Sequence, residues 1–187
     1  MDHTDHVNLL RPADIKPGGS WADLGAGSGA FTFATRELAG PTASIYAVDK
    51  DRASLNELEQ AYHARFGDSQ NLNLISGDFT RALDASTGSL QRLPAFDGIV
   101  MANSLHFFKD KERILRRVRS YLKPNGMLIV IEYNVDSGNQ WVPYPFSYET
   151  YSKLALRAGF TEPRLLGTIP SSFLREFYSA VVYKKEK

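Results

Sequence analysis

Residues 21–29 read Trp-Ala-Asp-Leu-Gly-Ala-Gly-Ser-Gly. Apolar residues lead into Gly25, Gly27 and Gly29, and a helix-like stretch follows through Phe31, Phe33, Ala34 and Leu38. A strand that turns through glycines into a helix brings bare backbone N–H groups and a helix N-terminus up against a ligand. Such a turn suits a dinucleotide, a phosphate or a nucleoside-linked amino acid, and Asp23 chooses among them. A carboxylate two residues before the first glycine repels a pyrophosphate and attracts a ligand that brings an ammonium or a sulfonium. The spacing also departs from the dinucleotide pattern G-x-G-x-x-G, because Ala30 stands where the last glycine belongs.

Five apolar runs of strand length, at 20–24, 43–49, 71–78, 96–103 and 127–133, alternate with helical patterns. Leu55, Leu58, Tyr62 and Phe66 repeat at helical spacing, as do Ile114, Leu115, Val118, Tyr121 and Leu122. Alternation of this kind predicts a parallel sheet covered by helices on both faces. Lys123-Pro124-Asn125-Gly126 reads as the turn into the fifth strand. After a helix over 148–158 the rhythm breaks. Two strands, 164–169 and 177–183, follow with a connection too short for a crossover, so they pair antiparallel. The expected fold is α/β: a doubly wound, mostly parallel, seven-stranded sheet closed by a C-terminal antiparallel hairpin.

Asp-Leu-Gly-Ala-Gly-Ser-Gly resembles the first motif of the class I S-adenosylmethionine-dependent methyltransferases, and later segments match that family in order from about residue 9 to residue 183. The resemblance, strongest to small-molecule enzymes of the quinone-biosynthesis type, implies a Rossmann-like methyltransferase fold. It also implies one methyltransferase domain over residues 1–187 with S-adenosylmethionine as cofactor. The cofactor-binding positions it points to are Asp23, Gly25, Ala26, Gly27, Asp49, Lys50, Asp78, Phe79 and Asn103.

Each of these has a plainer reading as well. Asp49 ends the second strand about twenty residues past the glycine loop, where a carboxylate accepts from two ribose hydroxyls. It would serve NAD equally, or simply cap the helix that follows. Asp78 would accept from the adenine amine with Phe79 bordering the ring; alternatively Asp78 caps a turn and Phe79 is core. At Asn103 the resemblance assigns the chemistry to main-chain carbonyls facing the methionine amine and the sulfur.

His106 follows the fourth strand, beside where the transferred methyl should sit. It reads either as a base taking a proton from a substrate hydroxyl or as packing beneath Phe107 and Phe108. His3 and His6 fall in a terminus expected to fray, and His63 on a solvated helix. Residues 134–147 form a long non-periodic stretch in which Trp141, Tyr144 and Phe146, stiffened by Pro143 and Pro145, are candidate walls of a substrate pocket. The same aromatics would also suit a covered sheet edge or a partner chain.

Composition narrows the class. The chain of 187 residues is 43% hydrophobic and 23% charged, with net charge +1. It offers no broad electrostatic footprint for nucleic acid or an anionic membrane. No apolar run approaches the roughly 20 residues that span a bilayer, and residues 1–6 lack a signal-peptide pattern. Cysteine is absent, which excludes disulfides and thiolate chemistry and suits a cytoplasmic enzyme. No metal site is apparent, and Arg113, Arg116, Arg117 and Arg119 read as a solvated helix face or as a nucleic-acid contact. The expected partner is a small-molecule substrate, with no nucleic acid or membrane, and the protein is expected to be a monomer or homodimer. Only about twenty residues precede the first strand, so the pocket needs a roof from 134–147, the terminus or another subunit. The competing readings are a methyltransferase-like binding or scaffold domain, an NAD-binding oxidoreductase and an RNA methyltransferase.

Overall fold

The computed structural model describes residues 1–67, 70–81, 83 and 93–185. Seven strands form one sheet: β1 (Ser20–Leu24), β2 (Ser44–Asp49), β3 (Leu72–Ser76), β4 (Phe96–Ala102), β5 (Leu122–Tyr133), β6 (Arg164–Pro170) and β7 (Glu176–Tyr183). Their order is β3-β2-β1-β4-β5-β7-β6. Strands β1 to β5 pair in parallel, and β7 enters antiparallel between β5 and β6. The helices are α1 (His3–Leu10), α2 (Ala30–Ala39), α3 (Arg52–Phe66), α4 (Lys111–Tyr121) and α5 (Tyr148–Arg157).

Period-two alternation along the strands divides the core. Ala22, Leu24, Ile99, Met101, Leu128 and Val130 face α4 and α5, where they pack with Ile114, Leu115, Val118, Tyr151 and Ala155. Trp21, Ile45, Val100, Ile129, Ile131 and Val181 face the other way, onto Val7, Leu10, Phe31 and Ala34 of α1 and α2. Helix α3 lays Leu55, Leu58 and Tyr62 against Ala47 of β2.

Two findings differ from the expectation. Residues 3–10 do not fray. They form α1, closed by a reciprocal capping box in which Asp2 accepts from the Asp5 N–H and Asp5 from the Asp2 N–H. Burial of Val7, Leu9 and Leu10 holds it down. The turn at 123–126 is present, with Asn125 in the left-handed region at φ 58°. The β4–β5 ladder nevertheless continues on both sides of it as a register shift, from Phe96↔Leu122 to Gly98↔Met127. On α4, Arg113 and Arg116 are exposed, in keeping with a solvated helix face. Arg116 pairs with Glu112 at 2.7 Å, and Arg119 donates to the carbonyls of Gly159 and Lys185 at 2.8 and 2.7 Å. Among the described residues, no helix is long and apolar enough to cross a membrane.

Trp21 lies flat over Gly98, where an added Cβ would come within 2.1 Å of a Trp21 ring carbon. Gly98→Ala should overpack this contact and cost about 1–3 kcal/mol, lowering Tm by about 3 °C per kcal/mol. Thermal unfolding checks it, and an unchanged midpoint would mean that Trp21 moves aside freely.

Candidate functional site

The glycine loop crosses the end of β2, which takes up the N–H groups of Gly25, Ala26 and Gly27. Gly25 and Ala26 both donate to the Val48 carbonyl at 2.8 and 3.0 Å, Gly27 donates to Asp49 Oδ2 at 2.8 Å, and Gly29 to the Ala26 carbonyl at 2.9 Å. The expectation of bare N–H groups at these positions is therefore corrected: the adjacent strand supplies acceptors within reach and uses those donors up. Gly25 is required by closeness as well as by its φ of 86°, since a Cβ there would stand 2.6 Å from that of Ser104.

Asp23 takes the place of a missing cap. Gly29, the N-cap of α2, offers no side chain, and Asp23 accepts from the Thr32 hydroxyl in the helix's first turn at 2.7 Å. The side chain is buried (2% exposed). Burial pushes its carboxyl up to about 6, the Thr32 hydrogen bonds oppose this, and the charge of Asp49 adds to it.

Asp23, Gly25, Ala26, Gly27 and Asn103 line a cavity of about 220 Å³, together with Met1 and, from α1, His6. Gly27 leaves open space, since a Cβ on it would meet nothing within 4 Å. Asn103 stands at φ 51°, its N–H donating to the Ile131 carbonyl at 2.9 Å, and its buried Oδ1 has no hydrogen-bond partner among the described residues. Asp23 and Asn103 on one small cavity fit a cationic group, and with the N–H groups of Gly25, Ala26, Gly27 and Gly29 already donating, the loop keeps few donors for a phosphate.

Asp49 is adjacent to this cavity through Gly27. Its second oxygen accepts from the Asp51 N–H at 2.9 Å. The N-cap of α3 is Asp51, which accepts from Ala53 N–H and from the Ser54 hydroxyl, so the capping role belongs to Asp51. Because Asp49 ties two backbone groups, its removal should weaken the loop as well as any ligand contact. Asp78 accepts from the N–H and hydroxyl of Thr80 at 2.9 and 2.6 Å, which is the turn-capping geometry, and the Lys50 charge bears on it. Phe79 is buried, edge-on to Phe108 at 5.6 Å and beside Gly25.

His106 is buried and tied by Nδ1 to Glu132 Oε2 at 2.7 Å. The other Glu132 oxygen accepts from the N–H groups of Leu105 and His106 at 2.9 and 3.3 Å. This buried carboxylate aims the ring, as a base needs. Glu132 was not anticipated, although one acid in the apolar run Ile-Val-Ile-Glu-Tyr is itself a signal. His6 was missed because its terminus was expected to fray. Tyr133, whose ring centroid lies 5.9 Å from that of His106, was missed too.

The three aromatics of 134–147 do not form one wall. Trp141 and Tyr144 are 67% and 44% exposed, whereas Phe146 is 2% exposed. Phe146 is corrected from pocket wall to core, packed against Tyr151 and Tyr178. Its neighbours impose this: the sheet and α5 present an apolar surface that Phe146 completes. The Tyr144 N–H donates to the His106 carbonyl at 2.9 Å, which fastens the loop beside that residue. Where the loop leaves β5 and meets α5, Asn134, Asp136, Ser147 and Arg175 border an open hollow of about 700 Å³.

The raised Asp23 pKa has a stability consequence. The folded form holds its proton up to about 6, whereas the unfolded chain releases it near the ordinary carboxyl value of 3.8. Stability from this group is present below pH 4 and lost as pH rises from 4 to 6, by up to about 3 kcal/mol. Chemical denaturation across that range should show this loss in the native protein and not in Asp23→Asn. Equal slopes in the two proteins would overturn it.

The family model described as "Methyltransferase domain" matches residues 22–128. The ubiquinone/menaquinone biosynthesis C-methyltransferase of Burkholderia mallei is 28% identical over 147 residues, covering 76% of this chain and 53% of that protein. The chain thus spans about half the length of the curated relatives it matches. Among solved structures, human N-acetylserotonin methyltransferase in complex with S-adenosylmethionine (SAM) superposes with a TM-score of 0.70 at 21% identity, covering 97% of this chain and 52% of that one. Magnesium protoporphyrin IX methyltransferase from Synechocystis PCC 6803 with bound SAM gives 0.71 at 14% identity, covering 97% and 77%. These two establish likeness of fold. The family model covers more than half of the sequence, from β1 into β5, and by that measure the chain belongs to the methyltransferase domain family.

Proposed function

We propose that residues 1–187 act as one SAM-dependent methyltransferase domain that moves a methyl group to a small, largely apolar acceptor. The observation that carries this reading is the buried carboxylate of Asp23 on a cavity where the N–H groups of Gly25, Ala26, Gly27 and Gly29 already have acceptors. Such a cavity favours an ammonium or sulfonium and offers a pyrophosphate few donors. The bound cofactor supplies an electrophilic methyl group on a good leaving group, so the protein mainly has to orient the reactants and exclude water.

In this reading Asp23 receives the cofactor's ammonium, and Gly25, Ala26 and Gly27 shape the cradle for its amino-acid end. Asp49 with Lys50 serves the ribose. Asp78 and Phe79 border the adenine, and Asn103 lends its unpartnered Oδ1. His106, held through Nδ1 by Glu132, takes a proton on Nε2 from a hydroxyl acceptor. Exposed Trp141 and Tyr144 wall the acceptor side, with Phe146 supporting them from the core.

Calorimetry tests the cofactor. The protein should bind SAM and S-adenosylhomocysteine and ignore NAD. Affinity should rise between pH 5 and pH 7 with release of a proton, because the ligand's ammonium favours ionised Asp23. Tight NAD binding without any response to S-adenosylhomocysteine would end this reading. For the acceptor step, His106→Ala and Glu132→Gln should each lower kcat for hydroxyl acceptors by about 10²–10⁴-fold and about tenfold respectively. Both should move activity toward higher pH while cofactor affinity stays put. A pH profile identical to the native one would remove the proton-accepting role.

A further inference from the structure

A ligand with a free amino-acid end carries two opposite charges, and a cavity that binds it well answers both. Asp23 answers the ammonium. It also accepts from the Thr32 hydroxyl in the first turn of α2, so a second carboxylate placed there would meet like charge. Of the side chains lining this cavity, His6 is the one that can carry positive charge. It reaches the cavity from α1, a different element from the loop that carries Asp23.

His6 is not a loose terminal residue. Its ring lies 4.8 Å from that of Phe31 on α2. Helix α1 is tied to the sheet by Ser179 Oγ donating to the Leu9 carbonyl at 2.7 Å, and to α2 by His3 Nε2 with Glu37 Oε2 at 2.7 Å. An imidazole has an N–H to donate in either protonation state. Burial holds its pKa below the usual histidine value. The α-amino group of Met1 and His3 add to this, and Asp5 and Asp2 oppose it.

We propose that His6 receives the carboxylate of the cofactor's amino-acid end, so that α1 and the glycine loop grip the two charges from different elements. This rests on the SAM reading above. It makes α1 part of the binding site and gives His6 a role in specificity for a cofactor that retains its carboxylate.

Calorimetry with three ligands tests it: SAM, its decarboxylated analogue, and 5′-methylthioadenosine, which lacks the whole amino-acid end. The native protein should prefer SAM to the decarboxylated analogue. His6→Ala should lose about tenfold in affinity for SAM and nothing for the other two, abolishing the preference. His6→Phe keeps a ring against Phe31 but has no donor, so it should behave as His6→Ala does if the alanine variant folds poorly. His6→Gln, with a donor, should retain most of the preference. Equal losses for all three ligands would make His6 a packing residue only, and an undiminished preference in His6→Phe would overturn the inference while leaving the cofactor reading intact. Failure of the native protein to bind any of the three would overturn both.

Discussion

The Val48 carbonyl accepts the N–H groups of both Gly25 and Ala26, and the neighbouring Asp49 carboxylate accepts those of Gly27 and Asp51. These contacts hold the turn between β1 and α2 against the end of β2. They also decide the electrical character of what lies beneath. With the donors of Gly25, Ala26 and Gly27 turned toward β2, the loop leaves the adjoining cavity largely to Asp23 and Asn103. The same glycine run with free N–H groups would be an anion site.

Two buried carboxylates define two chemical centres. Asp23 alternates with Ala22 and Leu24, so it points toward α1 and α2. Glu132 continues the series of Leu128 and Val130, so it points toward α4 and α5 and meets His106. Both stand near the carboxyl ends of parallel strands, where doubly wound sheets bind ligands. Glu132 has its oxygens committed to a ring nitrogen and two backbone N–H groups. Asp23 accepts from the Thr32 hydroxyl, and burial pushes its carboxyl up. A buried carboxylate pushed up in this way is one that a cation can engage.

Much of the architecture was legible because it depends on neighbours in sequence. Strand β1 matches its expected bounds, and β2, β3, β4 and β7 lie within a residue or two of theirs. The hairpin of β6 and β7 followed from a connection too short to cross over. Asp23, Gly25, Ala26, Gly27 and Asn103 were singled out from motif and strand-end position, and they share one cavity.

What the sequence by itself determined was therefore the alternation of elements, the glycine turn and the carboxyl-end residues, since periodicity and turn chemistry act over a few residues. The tertiary structure alone decided where side chains without a local pattern go. Phe146 and Trp141 sit five residues apart on one loop, yet the first fills a gap among Tyr151 and Tyr178 and the second faces solvent. His106 finds Glu132 across 26 residues, and Leu9 meets Ser179 across 170. The last contact helps turn an expected frayed end into a helix beside the cavity. Such pairings are fixed by which surfaces the sheet brings together, and no spacing along the chain encodes them.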